Sequence, residues 1–152
     1  MVICIYELER DGYKFDMLNE VFFNVKYKYR PDGVIFVDET LAIFFEVDER
    51  HHCDYSIVKE HRRMKSLRKE AETNGYDLVT FVRVNTGYRR EINCEQSLSQ
   101  LKFLSKHLHK LKSRRQLKPP DFSLYYIDYP DCHHHVLASK EQFENIHVLN
   151  SQ

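Results

Sequence analysis

The stretch of sequence that decides the fold is residues 30–48, which read RPDGVIFVDETLAIFFEVD. Within it, residues 34–37 and 41–45 are two apolar runs, and the three residues between them are polar. Runs rich in β-branched and aromatic residues on either side of a short polar turn are typical of a β-hairpin. We therefore expect two antiparallel strands here, joined by a turn centred on Glu39.

The register of this hairpin places acidic side chains close together. With Glu39 at the centre of the turn, residues whose numbers sum to 78 face each other, so Asp32 lies opposite Glu46. Asp48 follows two positions later and projects from the same face of the sheet. Like charges that face each other destabilise a sheet, so a cation is expected between these carboxylates. Their oxygens favour Mg²⁺ or Mn²⁺ over zinc, whereas a different register would leave them as ordinary solvated acids.

The rest of the chain alternates between strand and helix patterns. The predicted elements are a strand-like segment at 1–8, a helix at 15–23, a helix from a cap at Asp54 or Ser56 to Asn74, a strand at 78–84, a helix at 97–111, a strand at 122–128, a short helix at 140–145 and a strand at 146–149. This order predicts an α/β fold in which a small mixed β-sheet is flanked by helices. We expect one domain over residues 1–152, because no Gly-, Pro- or Ser-rich linker interrupts the chain.

Composition excludes several classes of protein. The formal net charge of zero argues against a polycation that coats nucleic acid or membranes. Four cysteines, far apart and without a CxxC pair, indicate reduced thiols in an intracellular protein of the cytoplasm or nucleus. No signal-peptide pattern is present at the N-terminus, and the longest apolar run, residues 41–45, is far too short to cross a membrane.

Basic residues are concentrated after the hairpin. The candidates for contact with the phosphates of a nucleic acid are Lys59, Arg62, Arg63, Lys69, Arg89 and Arg90. A solvated helix face is the alternative for each of them. No helix-turn-helix or zinc-finger pattern accompanies them, so no sequence specificity is predicted.

Two tripeptides, RPD at residues 30–32 and EVD at residues 46–48, lie on adjoining predicted strands before a helix. This arrangement resembles the PD-(D/E)XK restriction-endonuclease-like superfamily. With EVDERHH at 46–52, the basic segment 60–63 and FVRV at 81–84, it is similar to the branch of very-short-patch repair endonucleases and their uncharacterised bacterial and viral relatives. The resemblance covers residues 29–85. It implies a restriction-endonuclease-like core, hydrolysis of phosphodiester bonds in DNA, and Mg²⁺ or Mn²⁺ held by the Asp32 and Glu46 positions.

The chain departs from the superfamily at Asp48, which stands where a catalytic lysine is expected. That lysine orients the attacking water and steadies developing charge. Three replacements are open: a second metal held partly by Asp48, His52 as a proton carrier, or Lys59 or Lys65 reaching in from the following helix. The candidate catalytic residues are therefore Asp32, Glu46, Asp48 and His52, and the first three are the candidate metal ligands.

Three functions remain in competition at this point. The first is a metal-dependent endonuclease of repair, recombination or mobile-element type, with DNA favoured over RNA as the partner. The second is a catalytically silent nucleic-acid-binding module of the same fold, and the third is an endoribonuclease. A zinc site built from Cys132 and the histidines at 133–135 is disfavoured, because adjacent strand residues point to opposite faces.

Overall fold

The computed structural model describes residues 8–10, 12, 14–18, 29–49, 56–87, 94–113, 121–129, 133–143 and 145–151. Within these residues six strands form one sheet in chain order: β1 (Met17–Leu18), β2 (Gly33–Phe36), β3 (Leu41–Glu49), β4 (Leu78–Gly87), β5 (Asp121–Ile127) and β6 (Ile146–Leu149). Strands β1 to β3 are antiparallel, and β3 to β6 are parallel. The parallel strands are connected through α1 (Ile57–Thr73), α2 (Cys94–Ser113) and α3 (His134–Gln142), and residues 8–10 are also helical. The predicted α/β class, a mixed sheet flanked by helices, is confirmed.

The central hairpin has the predicted register. Gly33 pairs with Phe45 and Phe36 with Ala42, so the numbers of each pair sum to 78. Asp38 stabilises the turn, because its Oδ1 accepts hydrogen bonds from the backbone N–H groups two and three residues later at 2.8 and 2.9 Å. A local polar side chain thus fixes which residues of β2 and β3 face each other.

Alternate side chains of β3 enter two separate cores. Ile43, Phe45 and Val47 pack on the side of the sheet that carries α2. Ala42 and Phe44 pack on the opposite side, with the apolar residues of α1 and α3. Since β3 lies between β2 and β4 and is covered on both faces, an almost continuous apolar sequence is what its position requires. Glu46 and Asp48 continue the alternation on the α1 side.

Helix α1 begins and ends at predicted signals. Ser56 is its N-cap, with Oγ accepting a hydrogen bond from the backbone N–H of Lys59 at 3.5 Å. Asn74 is the C-cap, and Gly75 follows with a φ of +96°, the left-handed conformation that glycine adopts without strain. These caps fix where α1 begins and ends, and Met64, Leu67 and Ala71 are the residues that it buries against the sheet.

Three local predictions were wrong. Of the strand predicted at 1–8 the structure describes only Leu8, which is helical. Of the helix predicted at 15–23 it describes residues 15–18, where Met17–Leu18 is a strand because it pairs with residues 33–34 of β2. Pairing at a sheet edge therefore overrides the helical spacing of this segment. The last helix begins at His134 instead of Lys140, because the side chain of His133 caps it. Among the described residues, no helix combines the length and apolarity needed to cross a membrane.

Candidate functional site

Asp32 and Glu46 lie side by side where β2 begins. Asp32 directly precedes β2, and its Oδ2 accepts a hydrogen bond from the backbone N–H of Val47 at 2.8 Å. The register of the hairpin sets Asp32 opposite Glu46, as the sum of 78 requires. Asp32 is half-buried, whereas Glu46 is only 3% exposed. We call this pair the Asp32–Glu46 site.

Burial is the main influence on Glu46. Burial raises the pKa of this carboxyl and Arg63 lowers it, and with the added repulsion of the neighbouring Asp32 the net pKa is about 7. The Arg63 guanidinium reaches over from α1, with its Nη2 2.7 Å from Oε1 of Glu46. The same Nη2 donates a hydrogen bond to the backbone carbonyl of Arg30 at 3.1 Å. Within the described part of the chain, Oε1 accepts no hydrogen bond, so the contact with Arg63 is an ion pair of poor hydrogen-bond geometry.

Asp48 has a different environment, although it lies on the same sheet face. Its side chain is fully buried and accepts two hydrogen bonds from Arg83, from Nε at 2.7 Å and from Nη2 at 2.8 Å. The Tyr129 hydroxyl donates to the same carboxylate. Arg83 also donates from Nη1 to Glu60 on α1 at 2.8 Å. Asp48, Arg83 and Glu60 thus form a buried triad that connects β3, β4 and α1.

The triad keeps its charges. Burial alone would lower the pKa of Arg83, but the carboxylates of Asp48 and Glu60 raise it well above its ordinary value. Burial also raises the pKa of Tyr129, and the adjacent Asp48 adds to that effect. Arg83 is therefore a permanent cation in the core, and Tyr129 stays protonated and donates a hydrogen bond to Asp48 throughout the ordinary pH range.

The geometry separates the three predicted metal ligands. Asp32 and Glu46 are together, whereas a metal at Asp48 would have to displace Arg83 and Tyr129 from its carboxylate. Over the residues that the structure describes, no group of three or more His, Cys, Asp and Glu side chains is arranged to hold a metal ion. The role of Asp48 that the structure displays is to hold Arg83.

The sequence contained a signal for this pairing that residue spacing alone did not reveal. Arg83 is the one cation in the apolar segment FVRV, residues 81–84, and a buried strand does not accommodate an arginine without an acidic partner. The parallel register places it directly beside Glu46 on β3. An acid on the same face of β3 was therefore the expected partner.

The predicted phosphate-contacting residues of α1 divide into two groups. Arg63 turns inward to Glu46, whereas Lys59, Arg62 and Lys69 are exposed. Neither lysine suggested as a substitute for the missing one has its ammonium on Glu46: Lys65 donates to Gln142 Oε1 at 2.9 Å, and Lys59 is at the exposed start of the helix. His52, Arg89, Arg90 and Cys132 lie outside the described residues.

A second polar chain lies under α1 and α3. His61 Nε2 is 3.1 Å from Oγ of Ser139, and that hydroxyl is 2.6 Å from the hydroxyl of Tyr126. Ser139 is fully buried, so this Ser–His contact offers no accessible nucleophile. Burial lowers the pKa of His61, and the charges of Lys65 and Arg83 lower it further. The chain therefore holds α3 against α1 through a neutral histidine.

Comparison with known proteins yields no relative of this chain. No protein-family model matches it, no curated protein is significantly similar in sequence, and no solved structure is significantly similar in fold. The function is therefore inferred from the residues of the chain and their geometry.

Proposed function

We propose that this protein is a metal-dependent nuclease whose Mg²⁺ or Mn²⁺ is held by Asp32 and Glu46. The observation that supports the proposal is the juxtaposition of these two carboxylates, one of them buried, in an otherwise apolar hairpin. A buried acid beside a second acid is costly to ionise, and a cation that binds both removes that cost.

The two residues fit a magnesium-type ion. Their carboxylate oxygens are the hard ligands that such an ion prefers, and a cation on Glu46 Oε1 would take the place of Arg63 Nη2, which is 2.7 Å from it. Proteins commonly bind Mg²⁺ through one or two carboxylates, with water and substrate phosphate completing the shell. The pair is therefore sufficient without Asp48. The neutralised phosphate and the activated water that such an ion supplies are what phosphodiester hydrolysis needs.

Residues of the chain prepare the site in three ways. The Val47 N–H holds the Asp32 carboxylate in place, and the buried triad fixes β3, and with it Glu46, against α1. Glu46, with a pKa of about 7 in the metal-free protein, would release its proton on binding the cation, so metal binding should strengthen as the pH rises through neutrality. Arg63 presents a guanidinium, the group best suited to a phosphate oxygen, beside Glu46. Among the described cations, Arg63 is therefore the one best placed to stabilise developing charge, which is part of the role of the missing lysine.

DNA is the substrate that the resemblance to PD-(D/E)XK enzymes favours, and the reduced thiols favour an intracellular setting. The test is a panel of end-labelled single-stranded DNA, duplex DNA, branched DNA and RNA, each incubated with Mn²⁺, Mg²⁺ or a chelator. Cleavage should require metal and should be lost in Asp32→Asn and Glu46→Gln. Glu39→Gln, which removes an exposed acid from the turn, is the matched control and should remain active. Undiminished cleavage in excess chelator, or by either site variant, would overturn the proposal.

The second candidate is a catalytically silent nucleic-acid-binding module. The observation in its favour is that Glu46 is paired with Arg63 while Asp48 is held by Arg83, so both acids of the EVD tripeptide already contact a cation. Isothermal titration with Mn²⁺ distinguishes the two. A nuclease should bind Mn²⁺ and lose that binding in Asp32→Asn, whereas a silent module should bind nucleic acid without binding the metal.

A further inference from the structure

A groove of about 530 Å³ lies beside α1, on the side where its residues approach the end of α3. Among the described residues, the charged side chains that line it are Arg62, Lys65 and Lys69, all of them cations at neutral pH. The residues that matter for its chemistry are Arg62, Lys65, Lys69, His61, Ser66 and Gln142. The wall thus combines cations and hydrogen-bond donors with the apolar Val58 and the alkyl stems of the long side chains, and its charge is that of an anion site.

The three cations form one stripe along α1. Arg62, Lys65 and Lys69 are separated by three and then four residues, a spacing that places side chains on the same helix face. Among the described residues, the side chains of Arg62 and Lys69 make no ion pair or hydrogen bond, and both are exposed. Lys65 contacts neutral groups, the Gln142 amide and the Phe143 ring, whose centroid is 5.7 Å from Nζ. Like charges at this spacing repel one another, and a bound anion would remove that repulsion.

The groove is separate from the Asp32–Glu46 site. Arg62 and Arg63 are consecutive, so their side chains leave the helix about 100° apart. Arg63 contacts Glu46, whereas Arg62 lines the groove. Helix α1 thus carries cations on two flanks, one directed at the carboxylates and one directed away from them.

We propose that this groove binds the phosphate backbone of a nucleic acid, as a contact surface distinct from the Asp32–Glu46 site. From Arg62 to Lys69 the helix rises about 10 Å, so the three cations follow one another at about 5 Å along its axis. A nucleic-acid strand presents a continuous row of phosphates, so a row of three cations can contact neighbouring phosphates along it. Ser66 and Gln142 add neutral donors for phosphate oxygens. That the polyanion is a nucleic acid rests on the proposed function. That the groove binds anions rests only on the residues that line it.

The test measures binding without cleavage. Anisotropy of a fluorescein-labelled 20-base-pair duplex is titrated with full-length protein in a chelator, at several salt concentrations. Arg62→Ala with Lys69→Ala should weaken binding about tenfold near 0.1 M salt and reduce the log–log salt slope by up to about two. The matched control is Lys102→Ala with Lys106→Ala, which removes two exposed lysines from α2 on the other face of the sheet. This control changes the net charge equally and should retain the binding of the parent protein.

Each outcome decides the proposal. Equal weakening by both double variants would mean general electrostatic attraction and would overturn it, as would an unchanged slope in the groove variant. Poly-glutamate that displaces the duplex at equal charge concentration would assign the groove to an acidic polypeptide instead. Failure of the nuclease assay does not affect this measurement, because binding in chelator requires no metal. A groove variant that binds weakly yet cleaves at the parental rate with saturating substrate would separate this surface from the Asp32–Glu46 site.

Discussion

Replacing Glu46 with Gln should remove a pH-dependent loss of stability from the metal-free protein. The pKa of Glu46 is about 7 in the folded chain against an ordinary value of 4.5, so the folded state holds its proton more tightly than the unfolded state. The contribution of Glu46 to the free energy of unfolding is therefore fully present below about pH 4.5. It is lost as the pH rises through 7, because Glu46 ionises more readily in the unfolded state than in the folded state. Gln has nearly the same shape as protonated Glu and does not ionise.

The size of the effect follows from the difference between the two pKa values. It corresponds to about 3 kcal/mol once the pH exceeds 8, most of it arising between about pH 5 and 7.5. For a chain of this length, about 3 kcal/mol is equivalent to a change in melting temperature of roughly 6–12 °C. Arg63 lies 2.7 Å from the carboxylate, and its attraction is already included in the raised pKa.

The assay is urea unfolding of the parent protein and of Glu46→Gln in chelator, from pH 4.5 to pH 8.5. The free-energy difference between them should shift by about 3 kcal/mol in favour of the variant as the pH rises. Excess Mn²⁺ at pH 8.5 should stabilise only the parent. Glu39→Gln, in the exposed turn, should follow the parent at every pH. If the difference in unfolding free energy stays constant across this range, or changes in favour of the parent, Glu46 is not a buried carboxyl group whose ionisation destabilises the fold.

Three further predictions concern packing and charge. Asp48→Asn should destabilise the protein by about 3–5 kcal/mol in urea unfolding, because it leaves Arg83 buried without its bidentate partner. The triple variant that adds Arg83→Met and Glu60→Gln leaves no charge of the triad buried and unpaired, so it should recover most of the loss, and a stable single variant would contradict the triad. Arg63→Gln removes the cation that lowers the pKa of Glu46, so the rise of the pH–rate profile for Mn²⁺-dependent cleavage should move to higher pH, while Lys65→Gln should leave it in place. Gly33→Ala should cost about 1–3 kcal/mol, since its Cβ would lie 2.5 Å from Cδ1 of Phe15, and Phe15→Leu in the same chain should relieve part of that cost in a thermal melt.

The parts of the fold that the sequence predicted correctly depend on local chemistry. The hairpin register follows from a three-residue turn, and the ends of α1 follow from Ser56 and Gly75, so each signal lies within a few residues of the structure it specifies. The face shared by Glu46 and Asp48 follows from strand alternation alone. These features need no knowledge of distant parts of the chain.

The parts that were missed depend on distant residues. Asp48 is held by Arg83, which lies 35 residues further along the chain, and the contact forms only once β3 and β4 are in parallel register. The strand at Met17–Leu18 likewise exists because residues 33–34 offer it an edge. Helical spacing cannot reveal such an edge, since it reports only which side chains share a face.

The turn at residues 38–40 constrains insertions and deletions more strongly than an exposed loop usually does. Removing one residue would slip β2 by one position, which would move Asp32 to the α2 side of the sheet and exchange the faces of Val34 and Ile35. Two residues inserted into β2 itself would keep the faces but would displace Asp32 along the strand by roughly 7 Å from Glu46. Such a slip of β2 would therefore remove the Asp32–Glu46 site.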